Sequence, residues 1–325
     1  MGVTLRRLRV GQRTVRELEV VKFRGTPYLP GGHAFDITAA GLQVYPRTEA
    51  VLRAAAGSRA PPPARRERKA FDIAGLDDML HGGVFAGSAT ALLGPPGSGK
   101  TVLGLHFLAA GARQGERGLY FGLNETPAVL RDVGDQVGLT LTRWVAAGQI
   151  AILWHPAPES DPDALAQQLL ERVRAQPIQR LFLDGLDVFS GFNLAAERRG
   201  PFVTALTSEL QALGVTTLLS VELDTLFGPT VQLPLAGVAA VAENILFLRY
   251  VELRSQLYRL ISVLKARRSG HDPALREFTI DGQGITIART FASAEAILTG
   301  LARPLPERGE RGDEPVRTTW PPAAR

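Results

Sequence analysis

The sequence predicts an α/β fold, with a mostly parallel central sheet flanked by helices and an antiparallel C-terminal extension. Three observations predict it. Residues 88–221 alternate short apolar runs with longer amphipathic ones, the pattern of strands and helices in a parallel sheet covered on both faces. A glycine-rich turn separates the first strand of that series from its first helix. Four strand-like runs then follow between residues 244 and 288, with glycine-containing turns between some of them and no helical run to separate them.

Each element has a local reason. Residues 88–93 read as a short buried strand and 100–112 as the helix that follows it. Residues 118–122 read as a strand, 128–137 as a helix and 150–154 as a strand. Asp161 is placed to cap a helix over 161–174. A strand over 180–184, a helix over 200–213 and a strand over 215–221 complete the alternation. The extension is expected at 244–251, 258–265, 275–280 and 285–288. Trp144, Trp154 and Phe189 read as core, and Asp77-Asp78 as a solvated turn.

Residues 1–47 repeat residues 244–290 at a constant offset of 243 without a gap. Leu5/Leu248, Arg16/Arg259, Lys22/Lys265, Arg24/Arg267, Phe35/Phe278 and Gly41/Gly284 are among the identical pairs. This predicts that 1–47 are the closing strands of an upstream copy, without a phosphate loop of their own. Residues 48–69 read as a basic Pro/Ala/Arg linker, 70–301 as the main domain and 302–325 as a disordered tail.

Composition sets limits. The chain has 325 residues, is 45% hydrophobic, and can build a sizeable core. It has no cysteine, which excludes disulfides and thiolate metal sites and fits a reducing cytoplasm. No apolar run approaches a membrane span, and the start MGVTLRRLRV lacks the apolar segment of a signal peptide. The net charge of +5 permits nucleic-acid contact without arguing for it, since much of it lies in flanking segments.

The chemistry centres on Gly94-Pro95-Pro96-Gly97-Ser98-Gly99-Lys100-Thr101, which fits the phosphate-loop pattern without mismatch. Its glycines let successive N–H groups turn inward on a phosphate oxygen, and the helix start behind it favours an anion. Lys100 is expected to reach the β- and γ-phosphates, and the Thr101 hydroxyl to hold Mg²⁺. Residues 180–184 are an apolar run ending in Asp184, an acid suited to the same Mg²⁺ site. Glu125 follows the next strand, where it can orient or deprotonate an attacking water. His106, His155 and His271 have no metal-ligand spacing.

Taken in order, these motifs resemble the KaiC-like branch of the RecA-type P-loop ATPases. The resemblance rests on Ile73-x-Gly75-Leu76-Asp77, the phosphate loop, Glu125-Thr126-Pro127 and the Asp184 strand. It continues through Tyr250-Val251-Glu252, Lys265-Ala266-Arg267, His271-Asp272, Arg276-Glu277-Phe278 and Glu295–Gly300. It covers about residues 70–301, and tandem copies in the family would account for residues 1–47. It implies ATP and Mg²⁺ as ligands, and a homo-oligomeric ring, usually a hexamer, with ATP between subunits. Lys265 and Arg267 would reach the γ-phosphate of a neighbouring subunit, and protein signalling partners are expected.

Two departures matter. The family commonly has adjacent Glu residues where this chain has Asn124-Glu125, which implies slow or lost hydrolysis if the first is the base. The Ser-Thr pair used for autophosphorylation by clock-type members aligns with Ala239 and Ala240, so no such autokinase activity is expected. The alternatives are a RecA/RadA-like nucleic-acid-associated ATPase and a non-hydrolysing nucleotide switch. The first is weakened because the candidate pore loop, 222–236, contains no Lys or Arg.

Overall fold

The computed structural model describes residues 1–10, 13–56, 66–155, 161–186, 194–223, 238–253, 255–288, 294–296 and 302–304. The chain opens with β1 (Gly2–Val10), β2 (Arg13–Lys22), β3 (Gly32–Thr38) and β4 (Gly41–Tyr45), then α1 (Thr48–Ala56). Short β5 (Arg68–Lys69), α2 (Ala74–Met79) and β6 (Val84–Phe85) lead into the main sheet. There follow β7 (Ala89–Gly94), α3 (Lys100–Arg113), β8 (Arg117–Gly122), α4 (Pro127–Gln136), α5 (Leu141–Ala146) and β9 (Ile150–Trp154). Next come α6 (Pro162–Ala175), β10 (Ile178–Asp184), α7 (Ala196–Ala212), β11 (Thr216–Glu222) and α8 (Val238–Val241). The closing strands are β12 (Asn244–Leu253), β13 (Gln256–Ala266), β14 (Arg276–Asp281) and β15 (Gly284–Ile287).

The main sheet has nine strands in the order β15-β14-β13-β12-β7-β11-β10-β8-β9. From β12 to β9 all neighbours are parallel, and β12 to β15 are antiparallel. β12 therefore belongs to both parts, where the sequence suggested only the extension. Its Asn244–Phe247 segment pairs with Thr90–Leu93 of β7, so the first strand of the extension also completes the parallel core.

Apolar side chains cover both faces of the sheet. Phe71, Leu76, Leu103, Phe107 and Leu130 pack with α2 to α5 on one side, and Leu165, Leu169, Phe202 and Leu206 with α6 and α7 on the other. Asp161 caps α6 by accepting from the Asp163 and Ala164 amides, as its position in the sequence suggested. Helix α7 starts at Ala196 rather than 200 and carries Pro201 inside it, so the proline costs one amide donor without ending the helix. Helix α5 has too few turns to show a period in the sequence; Leu141 anchors it in the core.

Fully buried Arg180 crosses from β10 to the start of the domain. Its guanidinium donates to Glu116 Oε2 (2.5 Å), Ala70 O (2.6 Å) and Phe107 O (2.9 Å). Glu116 also pairs with buried Lys69. Two cations thus share one buried carboxylate, and backbone carbonyls take up further guanidinium donors, the condition under which buried charge is tolerated.

The amino-terminal meander repeats the closing strands in three dimensions. Leu5 pairs with Leu18 as Leu248 pairs with Ile261, and Phe35 pairs with Val44 as Phe278 pairs with Ile287. Even the register shift recurs, between Gly2 and Val3 and between Ile245 and Leu246. The span 48–69, expected as a linker, is structured at both ends. Thr48 donates its amide and hydroxyl to buried Asp163 Oδ1 (2.8 and 2.9 Å), which fixes α1 against α6. Arg198 of α7 bridges Glu49 and Asp163. Residues 57–65, 224–237 and 302–325 apart from 302–304 lie outside the described residues, as does Phe189.

Candidate functional site

The phosphate loop joins β7 to α3 at the carboxyl end of the parallel sheet, where β8, β10 and β11 also deliver their last residues. Gly97 (φ 70°) and Gly99 (φ 101°) hold left-handed backbone there. A Cβ on Gly99 would lie 2.7 Å from Ile280 Cδ1. Ser98 closes the loop by donating to Pro95 O at 2.8 Å. Buried Lys100 turns back over it, donating to Gly94 O (2.9 Å) and Pro95 O (2.8 Å), with Glu222 at 3.6 Å.

Asp184 ends β10 level with Gly122 of β8. It accepts from Thr101 Oγ1 (2.8 Å), Ser220 Oγ (2.5 Å) and the Tyr120 hydroxyl (3.1 Å). Burial pushes the Asp184 carboxyl above its ordinary range, although these donors and the Lys100 charge oppose the shift. The Tyr120 hydroxyl also reaches Glu125 Oε2 at 3.5 Å, and its own ionisation is pushed far up by burial beside both acids. Glu125 is raised too, by burial first and by Asp184 next.

These groups open on a cleft of about 480 Å³ lined by the loop, Asn124, Glu125, Asp184, Ser220 and Glu222, with Arg259 and Ile280 from the extension. Residues 123–125 form a bend, not an extended run, so Asn124 and Glu125 both line the cleft instead of pointing to opposite sides. The chemistry of the walls suits a phosphate chain with a hard cation. A glycine-rich loop at a helix start and an ammonium lie on one side, and hydroxyl and carboxylate oxygens on the other. Among the described residues no cluster of three or more His or acidic side chains could hold a metal without such a ligand.

The structure brings Gly94–Thr101, Glu125 and Asp184 together. It keeps Lys265 and Arg267 apart from them. Lys265 pairs with Ile245, itself opposite Ala91, so it stands near the amino end of β7 while the phosphate loop leaves the carboxyl end. Lys265 Nζ donates to Ala242 O at 2.7 Å, and desolvation together with Arg267 holds its pKa below the ordinary value. Asp77 is a partly buried cap for the Phe71 and Ile73 amides (2.8 and 3.3 Å), not a solvated turn. His106 accepts from the Ile285 amide (3.1 Å) and ties α3 to β15, a structural role.

Sequence reasoning missed Tyr120, Ser220 and Glu222. The available signal was their position: each lies on a strand whose carboxyl end faces the phosphate loop.

Fold and site together define a P-loop nucleotide-binding protein of the RecA-like α/β type. The family model described as "ATPase: KaiC" matches residues 71–291, and the chain belongs to that family. It is similar to the circadian clock oscillator protein KaiC of Picosynechococcus sp., 28% identical over 92% of this chain and 56% of that protein. It is also similar to that of Parathermosynechococcus lividus, 29% identical over 92% of this chain and 53% of that protein. KaiC 1 of Synechocystis sp. is 27% identical over 92% and 56%. The chain spans about half the length of the curated relatives it matches. Among the described residues no helix is long and apolar enough to cross a membrane.

Proposed function

We propose that this chain binds ATP with Mg²⁺ in the cleft and hydrolyses it slowly, within a homo-oligomeric ring that acts through protein partners in the cytoplasm. The observation that carries the reading is the division of the chemistry between two ends of one sheet. Lys100, Thr101, Asp184 and Glu125 surround the cleft, while Lys265, level with Ala91 and bonded to Ala242 O, and Arg267, bonded to Glu243 O, lie toward the amino end of β7. A pair of cations so placed serves the cleft of a neighbouring copy, and a hexameric ring is the closed arrangement we expect.

Lys100 and the loop amides of Gly97–Thr101 bind and orient the phosphates. Thr101 and Asp184 would hold Mg²⁺, which would supply charge neutralisation to the phosphates. Ser220 and Tyr120 fix the Asp184 carboxylate. Glu125 orients the attacking water and accepts its proton. Lys265 and Arg267 of the adjacent copy stabilise the charge that develops on the transferred phosphoryl group. Clock-type autophosphorylation is not part of this function, because the segment Gly237–Asn244 carries no hydroxyl side chain.

Residues 1–47 are read as the closing strands of an upstream domain of the same kind. Val3, Leu5 and Leu42 are 41%, 57% and 53% exposed, whereas their counterparts Leu246, Leu248 and Ile285 are buried under the α2–α3 face. The core of the upstream copy would cover the equivalent face here.

The test is ATP turnover per chain against protein concentration with Mg²⁺ present. Turnover that rises and then saturates supports a site completed by a neighbour. Turnover independent of concentration, in protein shown to dissociate at the lowest concentrations used, refutes it. ATP binding without turnover at any concentration favours the second reading, a nucleotide switch, which Asn124 motivates.

A further inference from the structure

The cleft holds an acid that none of the motifs contains. Glu222 is the last residue of β11 and lies level with Gly94, the first residue of the phosphate loop. Its carboxylate is 3.6 Å from Lys100 Nζ and lines the same cleft as Glu125 and Asn124. Glu125 enters from β8, which lies beyond β10, so the two carboxylates approach from different strands. Their charges interact. Glu125 is raised first by burial and then by Asp184, and Glu222 adds to the rise. An acid kept this close to the phosphate-binding lysine repels a polyphosphate, a cost that needs a function. Asn124, in the same lining, cannot take up a proton.

We propose that Glu222 is the second carboxylate of the hydrolytic site and supplies, from β11, the acid that Asn124 lacks. This rests on the proposed ATP hydrolysis. Glu125 and Glu222 hold the water between them against the γ-phosphate. As the water oxygen bonds to the γ-phosphorus, the bond from that phosphorus to the β–γ bridging oxygen breaks. ADP leaves with the bonding electrons, and the water proton passes to the carboxylates.

The test uses the full chain with Glu222→Gln, Asn124→Glu and the double variant, measuring turnover and, separately, equilibrium affinity for ATP and ADP. Glu222→Gln should lose turnover about 100-fold. It should bind ATP about fivefold more tightly, because a like charge has been removed. ADP affinity should be unchanged, which also shows the site intact. Adding Asn124→Glu should restore turnover to the Glu222→Gln protein. Unchanged turnover or unchanged ATP affinity in Glu222→Gln overturns the proposal while leaving ATP hydrolysis standing. Lost turnover without recovery in the double variant overturns the claim that Glu222 replaces an acid at 124. A wild-type protein that binds ATP without turnover refutes both the hydrolysis and this role.

Discussion

Completion of the cleft by a neighbouring copy can be tested by mixing two inactive variants. Lys100→Ala removes the ammonium that folds over Gly94 and Pro95 but leaves Lys265 intact. Lys265→Ala does the reverse, at the other end of the sheet. Each alone should be inactive or nearly so. Loss of a charge that stabilises phosphoryl transfer in trans lowers turnover by roughly 10³-fold. Loss of Lys100 should also abolish measurable ATP binding. In an equimolar mixture, an interface works when the cleft belongs to a Lys265→Ala copy and the adjacent edge to a Lys100→Ala copy. Random assembly into a ring of heterologous contacts gives about one quarter of interfaces that arrangement, whatever the ring size. The mixture should therefore recover about one quarter of the wild-type turnover per chain. The assay is steady-state phosphate release after the two proteins are mixed and allowed to exchange subunits. If Lys265 served its own cleft, no interface in the mixture would be complete and turnover would stay at the background of the separate variants. That result, in a mixture shown to form mixed assemblies, would refute the reasoning.

Other outcomes follow from named contacts. Glu116→Gln should destabilise the fold by about 2–4 kcal/mol, because Arg180 and Lys69 lose their shared buried charge; urea unfolding followed by tryptophan fluorescence measures it. Burial alone would raise the Glu116 carboxyl, but the hydrogen bonds from Lys69 and Arg180 outweigh it and hold it below its ordinary value. The stabilisation is therefore full above the unfolded carboxyl pKa of about 4.3 and lost as pH falls through the lower folded value. The gap between wild type and Glu116→Gln should shrink over that acid range, and a gap that widens there would contradict the assignment. Gly99→Ala should weaken ATP binding about tenfold, since the new Cβ meets Ile280 and the left-handed backbone disfavours alanine; calorimetric titration decides it. After incubation with ATP and Mg²⁺, peptide mass spectrometry should find no phosphate within Gly237–Asn244.

Much of the fold was legible because its signals are local. The β–α alternation from 88 to 221 shows in runs of a few residues, and the strand bounds agree with the structure to within about two residues. What misled was also local. The helix read from residue 200 starts four residues earlier in the structure, with Pro201 inside it, and α5 is too short to show a period. On an extended segment the neighbours Asn124 and Glu125 would point to opposite sides, but the chain bends there and both line the cleft. Lys69 went unused in the sequence reading, yet it is buried against Glu116.

By itself the sequence determined the phosphate loop, since eight contiguous residues carry the geometry that curls it. It also determined the internal repeat, because a gapless offset of 243 preserves alternation, turn position and hence strand register. Only the tertiary structure decided strand order. That order places β11 between β7 and β10, so Ser220 and Glu222 reach a site more than a hundred residues away in the chain. It also leaves Lys265 and Arg267 toward the amino end of β7, away from the cleft. The physical reason is that alternation fixes which segments become strands, whereas the packing of α2 to α5 against one face and α6 and α7 against the other selects which strands become neighbours.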